Sequence, residues 1–170
     1  KLQRNVFGYD IDVLRINELN INIDKTREIT NKELEEVNSI SFTHKVENLY
    51  NLDVFLVTVP TPINKDKSPD LLPLKKASKL IGEVLKKRNS LGKKVNPIIV
   101  FESTVYPGAT EEICIPIIEE ESNLKLNNDK LGAGFYCGYS PERINPGDNS
   151  RKITNIVKVT SGSNKVAAEW

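Results

Sequence analysis

The sequence predicts an α/β fold: an open parallel sheet with helices on both faces. Three observations point to it. Short apolar runs recur, the clearest being Val54-Phe55-Leu56-Val57-Thr58-Val59 and Ile98-Ile99-Val100-Phe101. Stretches with helical apolar spacing separate them, an alternation that marks βαβ units. The runs are apolar at consecutive positions, as in strands covered on both faces.

Taken in order, Asn5 to Asp10 reads as a strand ending in an acid. Leu14, Ile16 and Leu19 give Val13 to Leu19 the spacing of a short helix. Asn20 to Thr30 is polar and irregular, Asn31 to Val37 a charged helical turn or two, and Ile40 to Thr43 a brief strand. The run from Val54 to Val59 closes at Pro60-Thr61-Pro62, and Pro, Asn, Asp and Ser fill the loop to Asp70. Leu74, Ala77, Leu80, Ile81, Val84 and Leu85 repeat at helical spacing, and Asn89 to Gly92 ends that helix. Ile98 to Phe101 is the next strand. Ala109 to Glu121 reads as a helix kinked at Pro116. Residues 122–132 form a polar loop, and Tyr136 to Tyr139 and Val157 to Thr160 are further strands.

A length of 170 residues suits one domain with a real core. The composition carries no disorder signature. A net charge of +1 gives no reason to expect a nucleic-acid partner. The lysines between Lys65 and Lys94 read as a solvated helix face. No apolar run approaches the roughly 18 residues of a membrane span, and no secretory signal opens the chain. Two cysteines make no disulfide framework, so a cytoplasmic setting is expected. His44 reads as structural or exposed. No methionine is present, and the chain runs from Lys1 to Trp170 inside what looks like a helix, so a fragment is expected.

Two stretches carry the chemistry. Glu102-Ser103-Thr104-Val105-Tyr106-Pro107-Gly108 follows the run from Ile98 to Phe101. Tyr139-Ser140-Pro141-Glu142-Arg143-Ile144-Asn145-Pro146-Gly147 follows an apolar run from Gly134 to Gly138. Each breaks into Pro and Gly, so a hydroxyl and a carboxylate stand just past two strand ends. In an open parallel sheet that edge is where ligands bind. The pair Thr104 and Glu142 points to proton handling around a small substrate. The plainer alternatives are a helix cap at Thr104 and a surface salt bridge at Glu142.

These stretches, with Gly8-Tyr9-Asp10-Ile11-Asp12, Asp24-Lys25-Thr26-Arg27-Glu28 and Val57-Thr58-Val59-Pro60-Thr61-Pro62, occur in the order found in the UDP-glucose/GDP-mannose dehydrogenase family. The chain resembles that family from about Asn5 to Ala168. Such enzymes oxidise the C6 alcohol of a nucleotide sugar to a carboxylate with two NAD molecules in sequence. They combine a Rossmann-like NAD-binding domain, a long central dimerising helix and a C-terminal sugar-nucleotide domain, and this chain resembles only the first. Ser-Pro-Glu-Arg-Ile-Asn-Pro-Gly is similar to the branch acting on UDP-N-acetylhexosamines, whose products feed capsule or lipopolysaccharide synthesis. UDP-glucose, UDP-N-acetylmannosamine and GDP-mannose are the alternative substrates. A non-catalytic dinucleotide-binding module is the alternative of another class.

The resemblance assigns residues in turn. Asp10 accepts the ribose hydroxyls and favours NAD over NADP, or is a helix cap, a role that suits Asp12 better. Arg15 covers the adenosine or is a plain surface cation. Pro60 and Thr61 form a stiff wall beside the cofactor, or a simple strand exit. Thr104 holds the catalytic water or the substrate oxygen, Glu142 holds water or relays a proton, and both border the cofactor. Arg143 and Asn145 donate to the sugar or its phosphates. No metal site is expected. The family's first strand and Gly-x-Gly-x-x-Gly turn are expected before Lys1, and its nucleophilic cysteine after Trp170. Cys114 and Cys137 therefore read as buried structural thiols.

Overall fold

The computed structural model of the chain describes residues 5–37, 39–93, 96–127, 133–142 and 156–169. It divides into two compact units, Lys1–Asn51 and Leu52–Trp170.

In the first unit β1 (Val6–Tyr9) and β2 (Ile40–Thr43) pair in parallel, Val6 opposite Ile40 and Tyr9 opposite Thr43. A Cβ on Gly8 would stand 2.7 Å from Phe42 Cδ1, so only a bare glycine lets the Phe42 ring lie this close. Helix α1 (Val13–Asn20) starts where the Asp12 carboxylate accepts from the Leu14 and Arg15 amides, and it buries Ile16. Helix α2 (Asn31–Glu35) starts at a capping box, with Thr30 and Glu33 each satisfying the other's amide, and it buries Leu34. A 3-10 turn over Val46–Leu49, which the sequence pattern did not signal, follows β2.

The polar stretch between the two helices is organised by Asp24. Its buried carboxylate accepts from the amides of Thr26, Glu28 and Ile29 at 3.0–3.1 Å and from Thr26 Oγ1 at 2.7 Å. Arg15 Nη2 lies 2.7 Å from Asp24 Oδ1. Burial by itself pushes this carboxyl up, but the hydrogen bonds from Thr26, Ile29 and Arg15 outweigh it and hold it well below the usual carboxylate range. The folded-state value is thus depressed. The resulting stabilisation is complete above the unfolded value of about 3.9 and drains away as the pH falls toward the folded one. Acid unfolding of the wild-type chain below about pH 4 is therefore expected to be steeper than that of Asp24→Asn, which starts out less stable. Equal pH slopes in denaturant titrations of the two proteins would contradict this.

The second unit is a five-stranded sheet. Strands β3 (Val54–Val57), β4 (Ile98–Phe101), β5 (Lys125–Leu126), β6 (Gly134–Tyr139) and β7 (Ser161–Gly162) are joined by helices α3 (Leu72–Ser90) and α4 (Ile115–Ser122), and α5 (Lys165–Ala168) follows β7. The order is β3-β4-β6-β5, all parallel, with β7 antiparallel to the end of β6. The core lies where Ile98, Ile99 and Phe101 of β4 and Phe135 and Cys137 of β6 are sealed, with Leu74, Ile81, Val84 and Leu85 of α3 and Ile118 of α4. Helices α3 and α4 touch closely: a Cβ on Gly82 would stand 2.5 Å from Glu121 Cβ. Strand β3 alternates, with Phe55 and Val57 buried and Leu56 61% exposed. The described lysines of α3 are exposed, as a solvated face requires.

Three elements differ from the sequence reading. The strand from Val54 ends at Val57 rather than Val59, because its tail enters the proline segment. The run from Val157 to Thr160 is irregular, and pairing begins only at Ser161. Lys125 and Leu126 form a short strand inside the expected polar loop. Pro116, expected to kink a single helix over Ala109 to Glu121, lies instead in the first turn of α4, after a segment of different form. The turn before it, Thr110–Cys114, is a π-turn in which the Ile115 amide donates to Thr110 O, five residues back. Proline has no amide to give and its ring crowds the carbonyl four residues earlier, so a wider turn accommodates it.

Candidate functional site at the strand ends

The C-terminal ends of β3, β4 and β6 are tied to one another beyond the strands. The Glu102 amide donates to Val57 O at 2.9 Å, the Ser140 amide to Phe101 O at 2.9 Å, and the Glu142 amide to Glu102 O at 3.2 Å. Past Val57 the backbone of one partner includes Pro60, which has no N–H to continue a ladder. Side-chain hydroxyls take over. Ser103 Oγ donates to Val59 O at 2.6 Å and Thr61 Oγ1 donates to Thr104 O at 2.7 Å. Thr61 is thereby fixed between Pro60 and Pro62, half-buried, with Pro60 exposed beside it.

This scaffold brings Thr104 and Glu142 to the same edge. Phe101 pairs with Tyr139, and Thr104 and Glu142 each lie three residues beyond that pair. Both side chains are exposed. No side chain caps the helical segment that opens at Thr110, so the capping alternative for Thr104 is not realised. Between them Ser140 is buried, and its Oγ has no hydrogen-bond partner among the described residues. Arg143 and Asn145 lie outside the described residues.

Two residues at this edge were not identified from the sequence. Glu102 forms an ion pair with Lys158, and both side chains are largely buried. Lys158 turns inward between Val157 and Val159, which are 82% and 53% exposed. An apolar-out, charge-in segment inverts the usual pattern, so periodicity gives no hint of the contact. For Glu102 the one available signal was its position, directly after the last residue of an apolar strand.

In the first unit Asp10 ends β1, its amide donating to Thr43 O at 3.2 Å. Asp12, not Asp10, caps α1. The Asp10 carboxylate is exposed and, among the described residues, accepts one bond, from the Asp12 amide at 2.9 Å. Its remaining lone pairs face solvent, which fits an acceptor for the hydroxyls of a ribose. Arg15 is held by Asp24 rather than standing as a plain surface cation, and its Nη1 is buried without a partner among the described residues.

Neither thiol belongs to the site. Cys137 is pushed up to about 12, chiefly by burial, with Cys114 and Glu111 adding to it, and burial also raises Cys114. Both are protonated at neutral pH and buried, which removes them as nucleophiles. A cavity of about 250 Å³ beside Cys137, Tyr139 and Ser161 does not include Thr104 or Glu142. Among the described residues no three His, Cys, Asp or Glu side chains cluster as a metal site would need. His44 is exposed.

Comparison with known proteins places this arrangement. The chain is 50% identical over 167 residues to a UDP-N-acetyl-D-glucosamine 6-dehydrogenase of Pseudomonas aeruginosa, covering 98% of this chain and 36% of that protein. It is 46% identical over 160 residues to protein CapL of Staphylococcus aureus, covering 94% and 34%. The solved structure of a UDP-D-ManNAc dehydrogenase from Pyrococcus horikoshii superposes with a TM-score of 0.76 at 29% identity, over 98% of this chain and 37% of that one. The chain thus spans about a third of the length of the curated relatives it matches. Residues 1–169 match the NAD binding domain of the UDP-glucose/GDP-mannose dehydrogenase family. The parallel strands, the strand-end threonine and glutamate and these matches lead to one conclusion: the chain belongs to the UDP-glucose/GDP-mannose dehydrogenase family, as its NAD-binding domain.

Proposed function

We propose that this chain is the NAD-binding part of a nucleotide-sugar 6-dehydrogenase that oxidises the C6 alcohol of a UDP-N-acetylhexosamine, UDP-GlcNAc or UDP-GalNAc, to the uronic acid. The observation that carries the reading is the placement of Thr104 and Glu142 at matching distances past the paired ends of β4 and β6. The 50% identity to a UDP-N-acetyl-D-glucosamine 6-dehydrogenase supports the sugar. The nucleophile and most of the sugar site belong to parts of the protein outside this chain. Arg143 and Asn145 would supply donors to the sugar.

Bound NAD supplies the hydride acceptor. This chain's residues do the rest of what falls to it. Asp10 takes the adenosine ribose hydroxyls, and Arg15, oriented by Asp24, covers the adenosine. Pro60 and Thr61, the latter tied through its hydroxyl to Thr104 O, form a stiff wall beside the cofactor. The Thr104 hydroxyl holds the attacking water or the sugar oxygen. Glu142 takes and returns its proton. A binding module without chemistry would leave an exposed glutamate and threonine aligned at one edge for no purpose.

The reading extends to the whole protein as a cytoplasmic homodimer whose product enters capsule or lipopolysaccharide synthesis. Among the described residues no helix is long and apolar enough to cross a membrane. Light scattering of the full-length protein tests the dimer.

The cofactor assignment is tested with the full-length protein. NAD is expected to be preferred over NADP, because the Asp10 carboxylate repels a 2′-phosphate. In Asp10→Asn that preference shrinks, mainly through weaker NAD binding. Equal kinetics with the two cofactors in the unsubstituted protein would overturn the role of Asp10.

A further inference from the structure

Glu102 has three attachments. Its amide donates to Val57 O on one side, and its carbonyl accepts from the Glu142 amide on the other. Its carboxylate is ion-paired with Lys158. One residue therefore holds β3, the root of Glu142 and the segment that leads into β7. The Lys158 segment is itself anchored just beyond, where Ser161 pairs with Tyr139 and the Ser163 amide donates to Cys137 O at 2.8 Å. The backbone tie of Glu142 to this frame is long, 3.2 Å, and its acceptor is the peptide that the ion pair steadies.

We propose that Glu102 and Lys158 are positioning residues that set the place of Glu142 relative to Thr104. The inference rests on the reading of Glu142 given above. The proposed role needs no contact of the ion pair with reacting atoms or cofactor. It fixes the side chain of Glu102 at the rim of the sheet, so that the Glu102 peptide presents its carbonyl at one position to the Glu142 amide. Thr104 is fixed separately, through Thr61 Oγ1 and its own neighbour Ser103. Loss of the ion pair therefore shifts one member of the Thr104–Glu142 pair and leaves the other in place. Misplacement of a reacting group by about 1 Å lowers rate by roughly 10²-fold.

The test is a double-mutant cycle in the full-length protein with UDP-GlcNAc and NAD, together with amide exchange at Glu142. Lys158→Met is expected to lower kcat by roughly 10- to 10²-fold, with KM for NAD little changed and faster exchange of the Glu142 amide. Combined with Glu142→Gln it lowers kcat no further than Glu142→Gln alone, because both substitutions remove the same contribution. A purely structural role would make the two losses multiply and would leave Glu142 exchange unchanged; that result overturns the proposal. So does a wild-type kcat in Lys158→Met. If Lys158→Met fails to fold, Glu102→Gln removes the charge at nearly constant shape and is read in the same way. A wild-type rate in Glu142→Gln alone overturns the functional reading itself, and the inference with it.

Discussion

Glu142→Gln in the full-length protein is expected to lower kcat by about 10²–10⁴-fold, the range lost when a general acid–base group is removed. Glutamine keeps the volume and one acceptor oxygen, and the backbone tie from the Glu142 amide to Glu102 O is unaffected. The fold and most of the NAD affinity should survive. The side chain is exposed, so the substitution removes no buried packing. The loss should fall on kcat rather than on KM for NAD, because a proton relay acts in the transition state and not in cofactor binding. Steady-state kinetics at saturating NAD read this directly. Wild-type turnover would return Glu142 to the surface.

The second large effect is on stability. Phe101→Ala is expected to destabilise the second unit by about 3–5 kcal/mol. Phe101 is sealed, it is the last residue of β4, and it pairs with Val57 on one side and Tyr139 on the other. Removing the ring leaves a cavity in the core at the end of β4 that leads into Glu102, Ser103 and Thr104. The urea midpoint should fall with little change in slope, since the folded topology is kept. Activity at low temperature should fall as well, because the strand end that presents Thr104 loses its support. A midpoint within the range of surface substitutions, about 0.5 kcal/mol, would show that the β4 terminus is not the packed support described here.

How far the sequence disclosed this protein depends on the type of signal. Strands β4 and β6 and helix α3 were legible because consecutive or helically spaced apolar residues have one stable burial each. The strand at Val157 to Thr160 was misplaced because β-branched residues also occur in extended segments. There Lys158 turns to Glu102 and the valines turn out, which only a tertiary contact can dictate. The tail of β3 was overextended because the pattern continues through Thr58 and Val59, whereas Pro60 ends what the backbone can pair. Strand β5 holds only Lys125 and Leu126, too short a run to stand out in a polar stretch. The positions of Thr61, Thr104 and Glu142 past strand ends were legible because a hydroxyl or acid soon after an apolar run lands at the C-terminal edge of a parallel sheet. The bonds that hold them join residues far apart in sequence, as Thr61 to Thr104 and Ser103 to Val59 do, and no local spacing encodes them. Arg15 was read as covering an adenosine or as a plain surface cation, and its ion pair was not foreseen. Its partner Asp24 lies in a polar stretch where a buried carboxylate leaves no periodic trace.

The proposed activity is oxidation of a UDP-N-acetylhexosamine at C6 with NAD. The most direct measurement is NADH formed per nucleotide sugar consumed by the full-length protein, with UDP-GlcNAc, UDP-GalNAc and UDP-glucose run in competition. The donors proposed at Arg143 and Asn145 would be left unpaired with UDP-glucose, which disfavours that sugar. Two NADH are expected for each UDP-GlcNAc or UDP-GalNAc converted to its uronic acid, well ahead of UDP-glucose. No NADH from either N-acetylhexosamine, or a clear preference for UDP-glucose, would contradict it.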